Sequence, residues 1–232
     1  MNILALDTST EACSAALIMG ESVSELFELA PRGHSQLILP MLDALLAEAD
    51  IRLAQIDAVA FGCGPGSFTG LRIAAGIAQG VAFGADLPVV AVSSLAALAQ
   101  GAFKKTGAHN ILASIDARMG EVYWGAYQCD ADGLVQLHKC EGVYAPDQVP
   151  LPGAADWFGA GSGWQNYGTV LQVRLANFLT GYEAGHYPRA GDVACLGATI
   201  FKQGKAVSAE QAMPVYLRNE VAWKKLGKTA PG

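Results

Sequence analysis

The sequence is poor in charge and lacks most of the short signatures that mark catalytic and cofactor sites. Only 16% of its 232 residues are Asp, Glu, Lys or Arg, against 52% apolar. That balance fits a compact folded chain and excludes a disordered one. No uncharged apolar run reaches the roughly 20 residues of a membrane-spanning helix. The opening Met1-Asn2-Ile3-Leu4-Ala5-Leu6-Asp7 has no basic stretch of a secretory or transit peptide. Cys13, Cys63, Cys129, Cys140 and Cys195 are odd in number and form no Cys-x-x-Cys pair, as expected of reduced thiols in a cytoplasmic protein. His34, His109, His138 and His186 are scattered, without the paired histidines and glutamate of a metallopeptidase helix. No Gly-x-Ser-x-Gly elbow frames Ser14, Ser35 or Ser67.

What the sequence has instead is glycine, concentrated in Gly62-Cys63-Gly64-Pro65-Gly66-Ser67-Phe68-Thr69-Gly70-Leu71-Arg72. An apolar run, Ala58–Phe61, precedes it, and the uncharged stretch Ile73–Ala85 follows. The pattern predicts strand, tight turn and helix, with Ser67 or Thr69 as N-cap. Bare backbone beside a helix N-terminus suits an anion. Neither the Lys-Ser/Thr of a P-loop nor a dinucleotide fingerprint is present, however, so the turn reads either as structural or as a phosphate site. Inside the helix, Gly76, Gly80 and Gly84 fall four apart, beside a row of Ala74, Ala78 and Ala82. Each helical glycine costs about 0.8–1 kcal/mol relative to alanine, and residues four apart share a face. Such a face either packs on its own sheet or meets another subunit. We favour the subunit contact, formed by Leu71, Arg72, Ile73, Gly76, Ile77, Gly80, Phe83 and Gly84.

In chain order, Ile3–Leu6, Ala12–Met19 and Val23–Leu29 predict an antiparallel meander. A helix carrying Ile38, Met41, Leu42, Leu45, Leu46 and Ala49 follows, with Pro40 near its first turn or bending it. After the glycine unit come a buried strand, Leu87–Val92, and a short helix, Leu95–Gln100. Ile111–Asp116, a polar turn, Val122–Tyr127 and the alternating Leu134–Cys140 then echo the opening, which suggests a duplicated domain. Helical patterns lie around Tyr167–Leu179 and Val193–Phe201, with Trp157–Trp164 a glycine-punctuated strand or loop. Six basic residues after Phe201 (Lys202, Lys205, Arg218, Lys224, Lys225, Lys228) face only Glu210 and Glu220, within a net charge of −6. Solvated surface is the simpler reading of that cluster, and the acidic remainder argues against stand-alone RNA binding.

Asp7 and Asp116 each end the first strand of a half. Across a cleft they could hold Mg²⁺ and orient phosphates; equally, each could satisfy the N–H groups of its own turn. His34 reads as a structural hydrogen-bonding residue at a helix start, or as a cleft residue.

Five stretches, in order, resemble the bacterial TsaB (YeaZ) family: Leu6-Asp7-Thr8-Ser9-Thr10, Gly33-His34-Ser35, Gly64–Ile73, Asp116–Tyr123 and Pro214-Val215-Tyr216-Leu217-Arg218. The resemblance implies an α/β fold of two tandem actin-like (ASKHA, RNase H-like) domains, mixed sheets flanked by helices, the second less regular. Residues 1–102 and 103–232 would form them. It further implies a part in making threonylcarbamoyladenosine in tRNAs that read codons beginning with A. The TsaB partner is there non-catalytic, beside the related TsaD transferase and the TsaE ATPase. Members are expected to self-associate when alone, through the glycine-rich surface that otherwise meets TsaD, and to meet tRNA through the complex. TsaD's metal-binding His-x-x-x-His is replaced here by Ser94 and Leu98, which cannot stand in for two imidazoles; Asp192 lies near the region of its carboxylate ligand. After Asp7, Thr8-Ser9 lacks the glycine of an active ATPase loop. No catalytic residue, metal or tight cofactor is therefore expected. Nucleotide with Mg²⁺ at Asp7, Thr8, Ser9 and Asp116 would be weakly held, at the complex interface. The rival readings are a stand-alone actin-like ATPase or small-molecule kinase using Asp7 and Asp116 and, with less support, a peptidase.

Overall fold

The computed structural model describes residues 1–153 and 156–218. Alternation decides the first sheet. In β1 (Asn2–Asp7), Ile3 and Ala5 face one apolar layer while Leu4 and Leu6 face the other, as expected for a strand buried on both sides. It pairs antiparallel with β2 (Ala12–Met19), which pairs antiparallel with β3 (Ser22–Leu29). The helix α1 (His34–Glu48) keeps Pro40 in its interior rather than in its first turn. Then β4 (Ala58–Gly64) runs parallel to β1, α2 (Phe68–Ala85) crosses over, and β5 (Val89–Ser93) runs parallel to β4. The sheet order is β3-β2-β1-β4-β5.

The helix α3 (Ser94–Thr106) runs beyond the predicted Gln100 and ends at Gly107, whose φ of 73° caps it. Gln100 does not terminate the helix because its buried amide is satisfied: it donates to the Gly133 carbonyl (2.8 Å) and accepts from the Val135 amide (3.0 Å). The second sheet comprises β6 (Asn110–Arg118), β7 (Glu121–Cys129), β8 (Val135–Leu137), β9 (Gly142–Tyr144), β10 (Trp157–Ala160) and β11 (Leu179–Glu183). Its order is β11-β10-β6-β7-β8, with β9 also on β7. The first strand again pairs antiparallel with the second and parallel with the crossover strand. The plan of the first sheet is thus repeated, the doubled arrangement of the actin-like fold. The copy is less regular: β8 and β9 have three residues each, and a single 3₁₀ turn, Pro146–Gln148, precedes β10 where the first copy has α1.

The crossover helix α4 (Ser162–Leu175) begins earlier than the predicted Tyr167. Its first turn carries Trp164, which is buried and donates its indole N–H to the Leu112 carbonyl at 3.0 Å. The last α-helix among the described residues, α5 (Ala190–Lys202), returns to the first sheet and packs on β1, β2 and β4. Together α3 and α5 fill one apolar layer between the two sheets, while α1 and α2 cover the far face of the first and α4 that of the second. After α5 the chain stays with the first half. Val207 bridges Val89, and the Val215 amide donates to the Cys63 carbonyl at 2.8 Å. Residues 190–218 therefore lie largely against a sheet built by residues 2–93. Among the described residues no helix is long and apolar enough to cross a membrane.

Candidate subunit interface

Ser67 is the N-cap of α2, its Oγ accepting from the Gly70 amide at 3.4 Å. The 3.6-residue period then sorts the helix. Leu71, Ala74, Ala75, Ala78 and Ala82 are buried against the sheet, whereas Arg72, Gly76, Gly80, Phe83 and Gly84 are exposed and Ile73 and Ile77 half-buried. A methyl group placed on Gly76, Gly80 or Gly84 would meet nothing within 4 Å. The glycine row is thus an open strip of backbone, with Phe83 standing beside it at 72% exposure. Leu71 is a correction: it is 1% exposed, because its place one turn before Ala74 and Ala75 puts it on the inner face.

Sequence reasoning missed an aromatic cluster at the start of this helix. Phe68 is 57% exposed. The Arg72 guanidinium lies 3.9 Å over its ring, the Tyr216 ring centroid is 5.4 Å away, and Arg72 Nε donates to the Tyr216 hydroxyl at 3.3 Å. Tyr216 belongs to the 214–218 stretch, which the sequence shows only as an extended motif, so its position on α2 is a tertiary fact. Met213 and Val215 are exposed in the same stretch.

The suspected phosphate turn is filled by protein. The Ser67 amide donates to the Ser9 carbonyl and Thr8 Oγ1 to the Gly70 carbonyl, both at 2.7 Å. Methyl groups on Gly66 and Gly70 would overlap the Ser9 and Thr8 carbonyls. The glycines of this loop therefore admit the Asp7–Ser9 turn. Asp7, Thr8 and Ser9 are fully buried. Asp7 Oδ1 accepts from the Ser9 amide and hydroxyl (2.9 and 2.8 Å), while Oδ2 is buried without a partner, against Gly62. Burial outweighs those two hydrogen bonds and raises the Asp7 carboxyl to about 6. Burial, and after it the Glu141 carboxylate, pushes the nearby Cys63 thiol up to about 12.

Asp116 is satisfied by its own surroundings: the Arg118 amide (2.8 Å), Arg118 Nη1 (2.9 Å) and Asn166 Nδ2 (2.9 Å). It lines an interlobe pocket of about 540 Å³ with Glu11, Arg32, Arg118 and Arg218; Asp7 does not. Asp7 and Asp116, which could have faced each other across a cleft, thus do not share this pocket. His34 is buried at the first position of α1, where its Nε2 donates to the Ala12 carbonyl at 3.2 Å, and it also lines that pocket. Ser94 and Leu98 are fully buried in the layer between the sheets. Asp192 is paired with Lys104 at 2.7 Å. No three His, Cys, Asp or Glu side chains are grouped as metal ligands among the described residues. Lys224, Lys225 and Lys228 of the basic tail lie outside them.

Residues 26–225 match the family model described as TsaD, tRNA N6-adenosine threonylcarbamoyltransferase. The tRNA threonylcarbamoyladenosine biosynthesis protein TsaB of Escherichia coli is 47% identical over 97% of this chain and 98% of its own length. Its counterpart in Haemophilus influenzae is 44% identical over 97% of each. The solved structure of YeaZ from Pseudomonas aeruginosa superposes with a TM-score of 0.87 at 48% identity, covering 93% of this chain and 99% of that one. With the fold, the motif order and these likenesses in agreement, the chain belongs to the TsaB (YeaZ) family.

Proposed function

We propose that the chain is the non-catalytic, activating subunit of a cytoplasmic assembly that forms threonylcarbamoyladenosine on tRNA, and that the outer face of α2 is where it docks on a TsaD-like transferase. A TsaE-like ATPase joins the pair, tRNA is met through the complex, and a second copy of the chain covers the same face when the partner is missing. The observation that carries this reading is the open glycine row: three helix-weakening residues face solvent where nothing among the described residues needs them small. A second backbone can approach such a strip closely, with Phe83 and Arg72 as the large side chains flanking it. Two features of the remainder favour a supporting role over a catalytic one. Ser94 and Leu98 are core side chains at the positions of the transferase's histidines, and the Asp7–Ser9 turn is packed against the glycine loop.

The test is affinity for a TsaD homologue. Replacing Gly80 with Leu is expected to weaken association at least about a hundredfold by filling the strip, while light scattering shows loss of the self-associated form and thermal unfolding is little changed. Unaltered affinity for the homologue would refute the docking face. Steady Mg-ATP hydrolysis by the chain alone, abolished by Asp7→Asn, would replace the proposal with the ATPase reading.

A further inference from the structure

The turn between β6 and β7 places Arg118, Met119 and Gly120 in succession in the left-handed region, at φ 62°, 57° and 81°. For arginine and methionine that conformation is uncommon and persists where surrounding contacts enforce it. One contact is local, the Arg118 amide donating to Asp116 Oδ1 at 2.8 Å; the others come from the far end of the described chain. Arg218 Nη1 donates to the Ala117 carbonyl at 3.0 Å and lies 3.7 Å from Met119 Sδ; its Nη2 reaches the Arg118 carbonyl at 3.4 Å and pairs with the Glu121 carboxylate. Held in this way, the turn presents Arg118 to Glu11 of the first half at 2.9 Å, and that contact spans the interlobe pocket.

Two residues before Arg218, Tyr216 lies on the Phe68–Arg72 cluster of α2. Just before Tyr216 the backbone is fixed at Val215, whose amide bonds Cys63 and whose carbonyl presses on Gly64. One extended segment therefore carries Tyr216 and Arg218 along one wall of the pocket, which Phe68 also lines, and joins the exposed helix face to the β6–β7 turn. We propose that residues 212–218 act as a tether coupling the two: a protein covering Phe68 and Tyr216 immobilises the segment, and Arg218 in turn immobilises the β6–β7 turn and the Arg118–Glu11 contact across the pocket. A partner shifts this balance only as far as it favours the anchored segment over the released one. The inference rests on the docking reading above for the partner, whereas the link from Tyr216 to the turn is a property of the chain alone.

Amide hydrogen exchange of residues 116–121 in the full chain tests it. In the free chain, Tyr216→Ala and Arg218→Gln are each expected to speed exchange of this turn by about tenfold, with α2 unchanged. Phe68→Ala does the same more weakly, and it carries the test if Tyr216→Ala does not fold. Adding the TsaD homologue slows the turn in the wild-type chain but not in Arg218→Gln, although both bind. Wild-type exchange in the free Tyr216→Ala and Phe68→Ala proteins overturns the tether. So does a formed complex in which residues 116–121 exchange as in the free chain. If Gly80→Leu leaves the complex intact while the free-chain result holds, the docking face fails and the tether stands.

Discussion

Within one strand-turn-helix unit, Gly62, Gly66 and Gly70 press against other atoms, whereas Gly76, Gly80 and Gly84 face open space. The first group is small because the Asp7–Ser9 turn occupies the room a side chain would need. The second group is small for no reason found among the described residues, and each member weakens its helix by about 0.8–1 kcal/mol. Glycine in a sequence is therefore two statements that look alike. One concerns the fold, and the other concerns something that approaches the fold from outside.

The largest effect that separates them is expected at Gly62 and Gly70. Alanine at Gly62 sets its methyl on the Asp7 carboxylate, and at Gly70 on the Thr8 carbonyl. Overpacking in a fully buried, hydrogen-bonded place should cost about 3 kcal/mol or more, or prevent folding. Urea unfolding measures it. The two sites should also part company in a double mutant. Asp7→Ala makes room for alanine at Gly62 and recovers most of the loss, but no side-chain change relieves a clash with the Thr8 backbone. Wild-type stability of Gly62→Ala would undo the packing half of the comparison.

Next in size is the pH dependence stored at Asp7. Its carboxyl is raised from 3.8 to about 6 in the folded chain, so the folded state holds a proton that the unfolded state releases. Stability from this group is complete below pH 4 and is lost as pH rises through 6, a change of about 3 kcal/mol for a shift of this size. Asn in place of Asp7 should flatten that part of the stability curve between pH 4.5 and 7.5. It should also leave the protein more stable than wild type at the upper end. Equal slopes for the two proteins would show that the unpartnered Oδ2 is solvated in solution.

How much of this was legible beforehand follows the physics of each signal. Buried strands and the α2 helix could be read because apolar runs, turn residues and the Ser67 cap act locally. The repeat of Ile3–Asp7 in Ile111–Asp116 pointed to the doubled sheet for the same reason. Leu71, close to the glycine row in sequence, lies on the opposite face of α2, which adjacency along the chain does not reveal. Gln100 resembles a helix end in the sequence because its partners, Gly133 and Val135, are over thirty positions away. The knitting of Thr8 and Ser9 to the glycine loop, the Tyr216–Phe68 cluster and the Arg218 clamp all depend on distant segments meeting. No local pattern encodes them.

The smallest expected effect is also the one of opposite sign. Gly76 lies inside a regular helix, and a methyl there touches nothing within 4 Å. Gly76→Ala should therefore stabilise the free chain by about 0.5–1 kcal/mol, by restricting the unfolded state and improving helix propensity. For a chain of this size that is a rise of roughly 1–4 °C in Tm. The same methyl stands on the strip where a second backbone is expected, so affinity for the TsaD homologue should fall as Tm rises. Alanine would then destabilise at Gly62 and stabilise at Gly76, and only at Gly76 would binding be the quantity lost. A Gly76→Ala protein that gains stability and binds as tightly as before would mean that the strip is bare without being used.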